Sequence, residues 1–134
     1  MPLIRIDVIE GHSDREISEI SAAVHRGLVE VFGVPERDQF QVITEHRPGR
    51  LIYNKSYLGI ERTDGIVIIH VFFSTGRTDD QKKAFYALVA KTIAERTKIR
   101  PEDVTIALSE NTRSDWSFGN GVAQYLALPK EQWK

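Results

Sequence analysis

Gly11-His12-Ser13-Asp14 and, 65 residues later, Gly76-Arg77-Thr78-Asp79 are the stretches that decide the fold. Each begins with a turn glycine and continues into a helix start. Ser13 with Glu16, and Thr78 with Gln81, fit the S/T-x-x-E/Q capping box, in which a hydroxyl and an amide or carboxyl side chain satisfy two free backbone donors. The same offset aligns Glu36-Arg37-Asp38 with Pro101-Glu102-Asp103, and Glu45-His46 with Glu110-Asn111. The chain therefore reads as one unit written twice.

Outward from the caps, each unit has the same order of elements. The first predicted helix carries Ile17, Ile20, Val24, Leu28 and Val31, and the second carries Phe85, Leu88, Val89, Thr92 and Ile93. Spacings of three and four put each set on one buried stripe. Strands precede and follow: Pro2–Ile9 and a second strand leading to Glu45-His46, then Gly65–Phe73 and Asp103–Leu108. A strand–helix–strand unit joins parallel strands by a crossover helix lying on one sheet face. Two fused β-α-β units predict an α/β (α+β) fold, a four-stranded mixed sheet with both helices on one side. The expected organisation is one domain with repeats over about 1–48 and 66–113, a connecting segment 49–65 and a C-terminal tail. The connector holds Tyr53, Tyr57, Leu58 and Ile60, too apolar for a free linker, and is expected to form a short strand or hairpin. The strand near Ile66–Phe73 is apolar at almost every position, which predicts burial on both faces. Self-association is the simplest cover for the second face, with the tail from Val122 to Trp133 packing on a neighbour.

Bulk properties exclude several classes. Lys plus Arg is 18 against 19 for Asp plus Glu, so no net charge points to nucleic acid or an anionic membrane. The arginines Arg47, Arg50, Arg62 and Arg77 are scattered rather than striped. With no cysteine there is no disulfide framework and no thiol nucleophile. His12, His25, His46 and His70 show no metal-ligand spacing, and no metal or cofactor is expected. No stretch reaches membrane-spanning length. A cytoplasmic protein is the default.

Four places could carry chemistry. Pro2 would become the amino terminus on loss of Met1, giving a secondary amine on a rigid ring at the start of a strand. An α-amino group titrates near pH ~8, and about 1.4 kcal/mol moves it by one unit, so burial or one charge brings it into range for acid–base work. A retained Met1 would leave a non-basic amide. Arg77 stands just ahead of a helix start, where free N–H groups already favour an anion. It could hold a carboxylate or be a solvated turn residue, and its repeat counterpart His12 shows that folding does not require arginine there. Asp38 could serve Pro2 or, like its counterpart Asp103, a turn. In Asn111–Gly119, Trp116 and Phe118 are core or interface plugs, or the wall of a pocket. His25 reads as a satisfied helix-face histidine.

Taken together, Pro2-Leu3-Ile4, Phe32-Gly33-Val34-Pro35 leading to Asp38, His46-Arg47-Pro48-Gly49, Leu58-Gly59, Gly76-Arg77-Thr78 and Asp115-Trp116-Ser117-Phe118-Gly119 resemble the tautomerase superfamily, in particular its malonate semialdehyde decarboxylase subgroup. The resemblance implies a homotrimer of doubled subunits and cofactor-free proton transfer on small 2- or 3-oxo acids. Pro2 would be the acid–base group, Asp38 its charge partner or water-orienting group, and Arg77 the carboxylate binder. Thr75, Trp116, Phe118 and Tyr125 would contact the substrate. The resemblance also implies activities ranging from keto–enol tautomerisation to decarboxylation or hydration. A non-catalytic trimeric acid binder that keeps Met1 is the rival reading. Decarboxylases of this kind can carry an arginine where Thr75 stands, which leaves a second charge to Arg50, Arg62 or a neighbouring subunit.

Overall fold

The computed structural model describes residues 2–132. The expectations for Met1 and for the Trp133 end of the tail fall outside the described residues. The elements are β1 (Leu3–Ile9), α1 (Asp14–Phe32), β2 (Gln41–His46), β3 (Val67–Ser74), α2 (Asp79–Arg96), β4 (Val104–Asn111) and the short α3 (Gln124–Ala127). Single 3-10 turns lie at Tyr57–Gly59, Pro101–Asp103, Arg113–Asp115 and Lys130–Gln132.

Both capping boxes form as the sequence predicts. Ser13 Oγ accepts from the Glu16 N–H, and Thr78 Oγ1 from the Gln81 N–H, each at 3.1 Å. Helix α1 ends on Gly33, whose φ of +67° is the left-handed region that favours glycine and lets its N–H reach carbonyls of the last turn. The sheet order is β2-β1-β3-β4, with β1 parallel to β2, β3 parallel to β4, and β1 antiparallel to β3. Alternate strand residues Ile4, Ile6, Val8, Val67, Ile69, Val71 and Phe73 pack in one cluster with Ile20, Val24 and Leu28 of α1 and Phe85, Val89 and Ile93 of α2. Both helices therefore cover the same face, and the α+β arrangement matches the expectation.

The 65-residue offset is written into the register. Ile4 faces Gln41 and Ile9 faces His46; adding 65 to each number gives Ile69 facing Ile106 and Ser74 facing Asn111, which are observed pairs. Because β1 and β3 run antiparallel, with Leu3 opposite Phe72, the beginning of the first unit's first strand meets the end of the second unit's first strand.

One expectation is corrected. The connector forms neither strand nor hairpin: it is irregular apart from the turn at Tyr57–Gly59. Its backbone is satisfied locally, since the Arg62 guanidinium donates to the carbonyls of Asn54, Tyr57 and Ile60 and the Ser56 N–H donates to Asn54 Oδ1. With its polar groups paired this way the segment gains little from a sheet ladder. Within the chain strand β3 is buried on one face and leaves the other open, the face for which the sequence reading invoked self-association. Its residues alternate between buried and half-buried, and the open face carries polar pairs, His46 Nε2 to Asp7 Oδ1 and His70 Nε2 to Ser109 Oγ, each 2.7 Å. Half-buried Ile68 and Phe72 share that face with them.

Candidate active site

The antiparallel β1–β3 pairing gathers distant segments at one end of the sheet. Pro2 precedes β1, Asp38 and Phe40 lead into β2, Ser74–Arg77 follows β3, and Asn111–Phe118 ends β4. The Ile4 N–H donates to the Phe40 carbonyl at 3.0 Å and the Thr75 N–H to the Asn111 carbonyl at 2.8 Å, which ties these segments together.

Arg77 is held from several sides. Nη1 donates to the Ser74 carbonyl at 2.9 Å and Nη2 to the Phe32 carbonyl at 3.5 Å. The guanidinium carbon lies 5.8 Å from the Phe32 ring centroid and 5.5 Å from that of Phe73, within cation–π range. A guanidinium carries five N–H donors in a fixed fork, so two carbonyl contacts orient it and leave donors for an anion.

Arg77 lines a cavity of about 350 Å³ together with Gly33, Val34, Pro35, Ser74, Thr75, Arg113, Tyr125 and Lys130. Thr75 is thus on the wall, but its hydroxyl serves Glu110. Lys82 is the main cause of the depressed Glu110 carboxyl, and the Thr75 hydroxyl adds to the effect. Neither arginine foreseen as a second charge in this chain reaches this cavity: Arg62 is spent on the connector, and Arg50 stands in the turn after β2. Arg113 and Lys130 occupy the wall instead. Sequence reading missed both because their closeness to Arg77 depends on how the tail folds. The hint was that their repeat counterparts, Pro48 and Gly65, are uncharged.

The tail builds the remaining wall. Asp115 Oδ2 accepts from the Thr112 N–H and hydroxyl at 2.7 and 2.9 Å, fixing the turn Arg113–Asp115. Trp116 Nε1 donates to Asn111 Oδ1 at 2.8 Å, and the Trp116 and Phe118 rings stack with centroids 5.5 Å apart. Phe118 meets Phe40 at 5.7 Å and Tyr125 edge-on at 5.0 Å. Leu3, Phe40, Phe72, Trp116 and Phe118 line a second cavity of about 400 Å³. So Tyr125 borders the first cavity and Trp116 and Phe118 the second, with the Phe118–Tyr125 contact between them.

Pro2 is buried beside Leu3, and Asp38 is buried at 9% exposure; neither is on the wall of either cavity. Asp38 lies close behind. Burial pushes the Tyr125 phenol above its ordinary range, the Asp38 charge adds to this, and Arg77 opposes it, so Tyr125 sits within electrostatic reach of both. Burial also raises the Asp38 carboxyl, against the positive charge of the amino terminus and of His25. His25 is satisfied on one side only: its Nε2 lies 2.8 Å from the Glu36 carbonyl, in the turn that carries Asp38, while its buried Nδ1 has no hydrogen-bond partner among the described residues.

The repeat counterparts behave differently. Asp103, counterpart of Asp38, accepts from the Thr63 N–H at 2.7 Å and its hydroxyl at 2.6 Å, locking the end of the connector. The offset even relates clefts. A cavity of about 370 Å³ at the other end is lined by Tyr53, Ile68 and Thr105 among others. Adding or subtracting 65 turns these into Phe118, Leu3 and Phe40 of the aromatic cavity. Three lining positions of the two clefts are thus related by the same offset as the strands.

Among the described residues no His, Asp and Glu cluster could hold a metal ion, and no helix is long and apolar enough to cross a membrane.

Comparison with known proteins agrees with this architecture. Two family profiles described as tautomerase enzyme match the chain, one over residues 38–119 and one over 2–59. The Bacillus subtilis (strain 168) protein named "Probable tautomerase YusQ" is 40% identical over 94% of this chain and 99% of its own. A structure of FG41 malonate semialdehyde decarboxylase inhibited by 3-bromopropiolate superposes with a TM-score of 0.88 at 42% identity, covering 93% of this chain and 95% of that one. A second malonate semialdehyde decarboxylase structure gives 0.87 at 36% identity, covering 93% and 96%. A symmetric trimer of fused 4-OT shares the fold, with a TM-score of 0.75 at 18% identity over 94% and 99%. With two profiles and a near full-length relative in agreement, the chain belongs to the tautomerase family.

Proposed function

We propose that this protein moves protons on small 2- or 3-oxo acids without a cofactor, using the nitrogen of Pro2 after loss of Met1. Keto–enol tautomerisation is the activity to be detected first. The observation that carries the reading is the clustering, at one sheet end, of the buried strand start at Pro2, buried Asp38, Tyr125 within reach of Asp38 and Arg77, and a carbonyl-oriented Arg77 on a cavity wall. Arg77 would take the substrate carboxylate. The aromatic wall of Trp116, Phe118 and Tyr125 would exclude water, which strengthens charge interactions at the reacting carbon. Desolvation favours a neutral amine that acts as base, while an ionised Asp38 favours a cationic one. A neutral Pro2 shuttles a proton between enol oxygen and carbon. The same groups would serve each copy of a homotrimer whose subunits meet across the open sheet face.

A second reading is favoured by the likeness to two malonate semialdehyde decarboxylase structures at 42% and 36% identity. There a cationic Pro2 polarises the carbonyl oxygen of a 3-oxo acid while carbon dioxide leaves, or protonates an unsaturated acid during hydration.

Intact mass of the purified protein and a nitrogen-15 NMR titration of Pro2 test both. Loss of one methionine and an amine pKa near neutrality is the expected result and assigns a base. An amine pKa of about 9 or above assigns the cationic route. Retention of Met1 overturns both readings and leaves an acid-binding protein.

A further inference from the structure

The cavity of about 370 Å³ at the sheet end away from Pro2 has no part in the proposed chemistry. Its polar rim offers donors, and among the described residues no Asp or Glu lines it. Arg62 serves the connector through Nη1, which donates to the carbonyls of Asn54, Tyr57 and Ile60. A guanidinium carries five N–H donors in a fixed fork, so Nη2 and Nε remain for a ligand. Asn54 Oδ1 accepts from the Ser56 N–H at 2.9 Å, which leaves the amide nitrogen of that side chain as a further donor. The rest of the wall is apolar, made by the rings of Tyr53 and Tyr57 and the side chains of Ile66 and Ile68. We propose that this cavity is a second binding site, for a small aromatic monocarboxylate, with the carboxylate on Arg62 and the ring against the tyrosines and isoleucines.

Three observations support the assignment. Arg62 is already oriented by its three carbonyl contacts, at 3.1–3.3 Å, so little side-chain freedom is lost when an anion arrives. The turn that carries Tyr57 holds Leu58 at a φ of +62°, the left-handed region that a non-glycine residue seldom occupies and that recurs at ligand clamps. Tyr57 is left 60% exposed at the rim, free to close on a ring. And Tyr53, Ile68 and Thr105 correspond, by the offset of 65, to Phe118, Leu3 and Phe40 of the aromatic cavity. The two clefts are related positions on one sheet face, one near Pro2 and the other near the amide nitrogen of Val67, so the second binds without reacting. The nearby Asp64 carboxylate does not face an incoming anion alone, since its Oδ1 accepts from the Tyr53 hydroxyl at 2.5 Å. At about 370 Å³ the space suits one ring with a short acid.

The test titrates benzoate and its neutral analogue benzyl alcohol into the full-length protein. Backbone amide NMR signals of Asn54, Tyr57, Ile68 and Thr105 report this cavity, and those of Leu3 and Phe118 report the end at Pro2. Benzoate is expected to shift the first set at about tenfold lower concentration than benzyl alcohol, the scale of one charge-assisted contact. Arg62→Gln removes that preference. Because Arg62 also holds the connector, Thr105→Trp is the second variant: the position is exposed on β4, and an indole there fills the cavity without touching the Arg62 contacts. It abolishes the shifts at Asn54 and Tyr57 and leaves any at Leu3 and Phe118. Shifts confined to the Pro2 end overturn the proposal, as does the absence of any saturable shift, the result when a neighbouring copy of the chain seals the cavity. Equal response to the two probes, or a response at Asn54 and Tyr57 that survives Thr105→Trp, overturns it as well.

Discussion

Gly27→Ala pits helix propensity against packing. Gly27 lies inside α1 where that helix crosses α2, and in an open helix interior alanine would stabilise by about 1 kcal/mol. Here the added Cβ would lie 2.9 Å from Val89 Cγ2 and 3.0 and 3.1 Å from two carbons of the Phe85 ring. Ordinary carbon contacts fall at about 3.5–4.0 Å, so roughly half an ångström or more must be found. Phe85 cannot supply it cheaply: it is fully buried and stacked on Phe32 with centroids 5.0 Å apart. Val89 is also fully buried. Overfilling a packed contact costs about 1–3 kcal/mol, which exceeds the propensity gain over most of that range. The expected net loss is about 1 kcal/mol, or a Tm lower by roughly 4 °C for a chain of this size. Urea unfolding followed by circular dichroism measures it, with a lower midpoint and an unchanged slope. A variant more stable than wild type by about 1 kcal/mol would refute the close approach of α1 and α2.

Two further outcomes follow from polar contacts. Thr63→Val removes the hydroxyl that donates to buried Asp103 at 2.6 Å and accepts from the Gly65 N–H at 3.1 Å. Stability should fall by about 1–3 kcal/mol, the cost of a buried polar group left without that partner, and equal denaturation midpoints would show that the lock contributes nothing. Asp38→Asn should change the pH dependence of stability. Because burial holds the native carboxyl above its ordinary value, the folded state binds its proton more tightly than the unfolded one, and stability is lost as pH rises through the native pKa. The variant lacks that loss, so its stability relative to wild type should increase from acid toward neutral pH. A difference independent of pH would contradict the burial of Asp38.

How much could be read from the chain alone depended on distance along it. The capping boxes at Ser13 and Thr78 are local chemistry, and they fixed both helix starts and the two-unit order. The apolar stripes then placed both helices on one sheet face. The connector was misjudged because Tyr53, Tyr57, Leu58 and Ile60 have the composition of a strand, whereas Arg62 and Asn54 satisfy its backbone in a turn-rich path that no period reveals. The open face was legible, but its polar pairing was not, since His70 meets Ser109, 39 residues away. At the site, Arg77 was legible from its place before a cap, and Trp116 and Phe118 from their cost in a free loop. Arg113 and Lys130 were not, since their nearness to Arg77 is set by contacts between segments far apart in sequence.

The offset that relates the two clefts also limits what duplication can achieve. Shifting Pro2 by 65 positions lands on Val67, in mid-chain, where the nitrogen is locked in an amide inside a sheet strand. A polypeptide has one amino terminus, so fusing two copies necessarily silences one of a formerly matched pair of ends. The retired end is then released from any demand for a terminal amine. Here the connector is held by the Thr63–Asp103 contact and the Arg62 guanidinium, beside a cavity of about 370 Å³. The end at Pro2 has an aromatic cleft instead, with Trp116 and Phe118 at the positions that Leu51 and Tyr53 hold in the connector. Exposing an amine at Val67 would require cutting the connector just ahead of it, a change in chain connectivity that no substitution can imitate.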